Sequence, residues 1–113
     1  MNNQKILDKD LAIQRAGGNI DLARELFVML VEGMPGNRDE IQQLYEEGNF
    51  TSLKEKVHKL HGATAYCGVP ALKMASESFE THLKQGEQDK YAQGMSQLLQ
   101  AMDLLMQEAK NGF

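Results

Sequence analysis

Apolar residues recur at three- and four-residue intervals along this chain, and no window alternates with period two. The pattern predicts helices throughout and no strands. A short first helix is expected over roughly 8–16, with Leu11 and Ala12 turned inward. Gly17 and Gly18 end it, and Asn19 or Asp21 can cap the next helix. That second helix starts near Ile20 and presents Leu22, Leu26, Met29, Leu30 and Gly33 inward. Pro35 removes a backbone donor and predicts a kink or a break. The apolar face resumes in phase at Ile41, Leu44 and Tyr45, so a kinked but continuous helix running to Gly48 is the expectation. A third helix, about 51–66, places Leu53, Val57, Leu60 and Thr64 on its inner face. Gly68 ends it, and Pro70 suits the first turn of the fourth helix. The fourth turns Leu72, Ala75, Phe79 and Leu83 inward and stops at Gly86. The last, about 89–109, carries Tyr91, Met95, Leu98, Met102 and Leu105, a seam alternating by four and three. The expected architecture is an all-α antiparallel bundle with short connections.

Length and composition fit that reading. With 113 residues, 42% of them apolar, the chain (1–113) is expected to form one domain with a thin core. The net charge of −4 argues against nucleic acid as a direct partner, because phosphate backbones demand a concentrated basic surface. The single cysteine, Cys67, leaves no intrachain disulfide and suits a reducing compartment. No apolar run is long enough to span a bilayer, so no membrane contact is expected from this segment. The polar start "MNNQKILDKD" lacks the apolar stretch of a signal peptide.

Candidate chemistry concentrates in "VHKLHGATAYCG", residues 57–68. On a helix, His58 is rotated about 100° from Val57 and so leaves the core stripe. Lys54 lies one turn before it, Gly62 one turn after, and Ala65 follows on the same face. Glycine inside a helix costs about 1 kcal/mol relative to alanine, which suggests that something must approach the backbone there. Lys54, Lys56 and Lys59 form a basic cluster in an acidic chain, able to attract an acidic partner or a phosphoryl group. A neutral, exposed histidine with cations nearby is suited to carry a phosphoryl group on a ring nitrogen.

Other readings of these residues stand beside that one. His58 can be a solvated side chain, Gly62 a helix–helix contact, and the lysines an ordinary polar face. A metal set would take His58, His61 and Cys67, but the spacing is poor and no acidic residue lies between them to complete it. No nucleotide-binding loop is present, so neither ATP binding nor autokinase activity is expected.

The same stretch resembles the H-x-[LI]-[KH]-G-x-x-x-x-x-G signature of histidine-containing phosphotransfer (HPt) domains. The segments before it, with the Gly-Gly after the first helix, and after it, "GVPALKMASESFETHLKQG", are similar to the same family. The variant is most similar to the C-terminal domains of BarA/GacS-type hybrid sensor kinases. The resemblance implies a four-helix bundle with a short extra N-terminal helix. It implies that His58 is the phosphorylated residue, that Gly62 admits a receiver domain, and that Gly68 closes the helix. His61 stands where the family most often has lysine, and Lys54 or Lys59 would compensate for that missing cation. It further implies partners: receiver domains of a hybrid kinase or a response regulator, with Mg²⁺ on the receiver and no cofactor on this chain. The location implied is cytoplasmic, as the inner portion of a membrane-bound kinase. A helical adaptor without chemistry and a metal-binding bundle remain the alternatives.

Overall fold

In the computed structural model, residues 4–113 are described, and those residues contain helices and no strand. The elements are α1 (Lys9–Arg15), α2 (Ile20–Glu46), α3 (Phe50–Thr64), α4 (Pro70–Gln85), a single 3₁₀ turn (Gln88–Lys90) and α5 (Tyr91–Ala109). Helices α2 to α5 form the bundle, in which α4 packs on α3 and α5, and α2 on α3 and α5. The short α1 lies against α2 as the extra helix.

Side-chain caps begin the first three helices. Asp8, Asn19 and Asn49 accept from Leu11 N, Leu22 N and Ser52 N respectively, satisfying donors that have no partner within the helix. Pro70 opens α4 at a position where no backbone donor is needed, and Gly86 closes it in the left-handed conformation (φ 68°).

One contiguous core runs through the bundle, and Phe79, Met34, Ile41, Leu53, Leu72, Leu98, Met102 and Leu105 are its largest fully buried side chains. The expected inner faces of α3 and α5 are the buried ones. On α2 the expectation holds in part, with Leu30 and Ile41 buried and Leu26, Leu44 and Tyr45 packed against the core. Its buried residues are Ala23, Phe27, Leu30, Met34 and Ile41, whereas Leu22 and Gly33 are exposed and Met29 is 69% exposed. In the first half of α2 the apolar residues spread over a broad face opposite Asp21, Arg24, Glu25 and Glu32, so two stripes one residue apart were both available. Packing chose the one carrying the larger Phe27, whose ring meets Phe113 at 5.4 Å.

Helix α2 does continue through Pro35. The proline lies on the exposed side while Met34 beside it is buried. A proline inside a helix costs about 3 kcal/mol, and burial of Leu30, Met34 and Ile41 on both sides of it carries the helix across. Arg38 then ties α2 to α5 with a forked pair to Asp103, 2.7 Å from Nε to Oδ1 and 3.1 Å from Nη2 to Oδ2.

Two glycines are demanded by packing. Gly68, at φ 65°, sits against α1, where a Cβ would collide with the Asp8 carbonyl and with Ala12. Asp8 N donates to Gly68 O at 2.8 Å, and Ala71 N to Lys5 O at 3.0 Å, pinning the N-terminal segment to the α3–α4 turn. Gly94, in the first turn of α5, lies under Phe79, whose ring would be 2.5 Å from a Cβ placed there. Gly94→Ala should therefore destabilise the fold by about 1–3 kcal/mol through overpacking, despite the gain in helix propensity. Urea unfolding of the variant beside the wild type measures this, and equal or greater stability would refute it.

Candidate functional site

His58 stands on the third turn of α3. Leu53, Val57, Leu60 and Thr64 bury the opposite side of that helix, which leaves the His58 side chain 67% exposed. Its inner ring edge is nevertheless anchored. Nδ1 of His58 hydrogen-bonds Oε2 of Glu80, which reaches across from α4. His61, one turn further along α3 and 24% exposed, places its own Nδ1 2.8 Å from Oε1 of the same carboxylate. Lys84, one turn after Glu80 on α4, holds its ammonium 3.1 Å from Oε2.

Glu80 is only 4% exposed, so its charge is costly unless its oxygens are fully engaged. Three donors from two helices engage both of them. Burial pushes this carboxyl up, and the hydrogen bonds from His58, His61 and Lys84 outweigh burial and hold it below the ordinary carboxylate value of 4.5. An ionised carboxylate can only accept, so each neutral imidazole facing it must carry its proton on Nδ1. That tautomer follows from the hydrogen-bond network. It leaves the Nε2 lone pair of His58 free on the outward edge of the ring. The arrangement fixes the ring, fixes the tautomer, and lowers the cost of positive charge developing on the imidazole.

The other residues singled out by sequence are distributed around this centre. Gly62 is exposed, and a Cβ there would meet nothing within 4 Å, so it is not a helix–helix contact. Among the described residues Lys54 and Lys59 hold no ion pair, whereas Lys56 is drawn away to Glu40 at 3.0 Å. Lys59 borders a shallow cleft between α2 and α3 with Asn37 and Ala63. Ala65 lines a groove with Arg15, Lys73 and Glu77. Gly68 is buried against α1, so it serves the docking of the N-terminal segment as well as the helix end. Cys67 does not join the histidines. It is buried, its Sγ lies 3.3 Å from the carbonyl of Ala63, and burial raises its pKa.

Sequence reasoning missed Glu80 and Lys84. The apolar stripe on α4 was read as Leu72, Ala75, Phe79 and Leu83, but Ser76 and Glu80 are also buried on it. Ser76 donates to its own helix at Lys73 O, 3.0 Å. A carboxylate on a core stripe was the available signal, since such a group is retained only where donors meet it.

The linkage to stability has a definite sign. The folded pKa of Glu80 lies below its unfolded value, so the unfolded chain binds the proton more readily. The Glu80 contribution is present above the ordinary 4.5 and is lost as pH falls through the lower folded value. The stability gap between wild type and Glu80→Gln should therefore be widest near neutral pH and close in acid. Urea melts of both proteins across that range test it, and a gap that grows in acid would contradict the charge assignment.

A profile of the Hpt domain family matches residues 25–111. The chain is 37% identical over 106 residues to the sensor histidine kinase GacS of Pseudomonas protegens, covering 94% of this chain and 12% of that protein. It is 33% identical over 110 residues to the signal transduction histidine-protein kinase BarA of Escherichia coli K12, covering 96% of this chain and 12% of that protein. The chain thus spans about an eighth of the length of these curated relatives. The fold matches the crystal structure of the HPt domain of a hybrid histidine kinase from Shewanella with a TM-score of 0.86 at 28% identity, over 94% of this chain and 92% of that one. With its helices, its histidine-bearing α3 and these relatives in agreement, the chain belongs to the Hpt domain family.

Proposed function

We propose that this domain carries a phosphoryl group on Nε2 of His58 between receiver domains of a phosphorelay. The observation that carries the reading is the Glu80 anchor. It turns Nδ1 of His58 inward and leaves Nε2 outward on an exposed ring, beside the open surface at Gly62. In the forward step the Nε2 lone pair attacks the phosphorus of an aspartyl phosphate on a receiver. The N–P bond forms as the P–O bond breaks, and the aspartate leaves as a carboxylate with the bonding pair. The imidazole becomes cationic, keeps its proton on Nδ1, and faces the negative Glu80. The second step reverses this chemistry onto the aspartate of another regulator. Beyond the His58 nucleophile itself, transfer of this kind depends on alignment and charge stabilisation. Mg²⁺ belongs to the receiver in this scheme, and the domain needs no cofactor of its own.

The partners are receivers of a hybrid sensor kinase or of a separate response regulator, and the location is the cytoplasmic side of such a kinase. No helix among the described residues is long and apolar enough to cross a membrane. The basic flank of Lys54 and Lys59, with no ion pair to another described residue, suits an acidic surface on a receiver.

His58→Gln should fold as the wild type, because its amide can still donate to Glu80, and should take up no phosphate from a phosphorylated receiver. His61→Gln should retain substantial label. Acid-labile, alkali-stable radioactivity distinguishes the two, and the reverse pattern would move the acceptor to His61. Gly62→Gln should leave the melting temperature unchanged or slightly raised, since the site is open and glycine is a poor helix former. Its side chain leans over the turn bearing His58, so receiver-dependent transfer should fall at least about tenfold, or ~1.4 kcal/mol in the barrier. Transfer at the wild-type rate would show that Gly62 plays no part in access.

A further inference from the structure

We propose that Lys84, on α4, is the cation that holds the phosphoryl group once it is on His58. The inference rests on His58 as the acceptor and assigns a residue to the charge that this acceptor must carry. A phosphoryl group brings about two negative charges to the ring edge. His61, which stands at the position usually held by lysine, has its Nδ1 committed to Glu80 and is largely covered. Lys56 is committed to Glu40. Lys54 and Lys59 flank His58 on its own helix, but nothing in the structure directs their ammonium groups to the ring. Lys84 differs from all of these. Its Nζ lies 3.1 Å from Oε2 of Glu80, the same oxygen that receives Nδ1 of His58.

That shared oxygen makes an exchange of partners possible. Before transfer the imidazole is neutral, and Lys84 is the positive group that balances the buried carboxylate. When the Nε2–P bond forms, the ring itself becomes cationic and Glu80 is balanced by its own neighbour. Lys84 is then no longer needed at Oε2. Its side chain is 59% exposed on a flexible four-carbon stem, so the ammonium can swing to the phosphoryl oxygens that have arrived beside it. The carboxylate keeps a cationic partner throughout, and Lys84 offsets one of the charges that the phosphoryl group brings. A cation there also slows loss of the group, because its charge-assisted hydrogen bond to the bound phosphoryl oxygens must be given up as the group leaves.

The test uses the folded domain with phosphoramidate as the phosphoryl donor, which loses ammonia as the N–P bond to histidine forms. Phosphorylated protein is freed of donor, and decay of the phosphohistidine signal is followed by ³¹P NMR at fixed pH. Lys84→Gln should lose the group at least about fivefold faster than the wild type, with a displaced ³¹P resonance, and Lys84→Arg should restore most of the lifetime. Lys110→Gln removes the same charge from the far end of α5 and serves as the control. The Lys84→Gln effect should persist in a Glu80→Gln background, because the proposed contact is with the phosphoryl group. An unchanged lifetime in Lys84→Gln, or an effect that disappears when Glu80 is also replaced, would overturn the inference while leaving His58 as acceptor. Label that survives in His58→Gln would overturn the acceptor assignment and the inference with it.

Discussion

A single buried carboxylate organises the chemistry of this domain. Glu80 would be an expense in any helical core, and it is tolerated because His58, His61 and Lys84 bring three donors to its two oxygens. Removing any of them leaves acceptor capacity buried without a partner, which is more costly than the bond itself is worth. The carboxylate therefore holds α3 and α4 in one register and holds the imidazole of His58 in one orientation. A device that serves the packing of two helices also sets the tautomer of the exposed ring between them.

The division between anchored and open sides follows from the helix itself. On α3 the core stripe of Leu53, Val57, Leu60 and Thr64 faces inward, His58 lies at the edge of that stripe, and Gly62 lies beyond it. At the edge, one side of a ring can reach the interior while the other remains in water. A histidine squarely on the stripe would be covered, and one on the far side would have no buried partner to orient it. Gly62 then keeps the approach clear, at a cost in helix propensity that nothing in the packing requires.

The remainder of the bundle keeps that edge in place. Phe79 presses on Gly94 one residue before Glu80, so the close contact of α4 with α5 also positions the turn carrying the carboxylate. Gly68 lets the N-terminal segment dock over the α3–α4 turn, where Asp8 bonds the turn and Lys5 bonds the start of α4. Arg38 and Asp103 close the other side of the bundle. These are packing and hydrogen-bonding constraints, with no chemistry of their own, and they restrict how α3 and α4 can move relative to one another.

Much of this was legible along the chain. The helices, their glycine and proline boundaries and the inner faces of α3 and α5 follow from a period that local geometry imposes. The exposed position of His58 and the openness at Gly62 follow from the same period, because a residue's angle from a core stripe is a local quantity. What the chain alone left undecided is nonlocal. Two adjacent apolar stripes on α2 competed, and the arrangement of its neighbours selected Ala23, Phe27 and Met34 over Leu22 and Met29. Glu80 and Lys84 lie 22 and 26 residues from His58 in sequence, and periodicity says nothing about which polar groups meet across two helices. Their meeting depends on the register between α3 and α4, which the tertiary packing set, because a buried charge is stable only where that register supplies its partners.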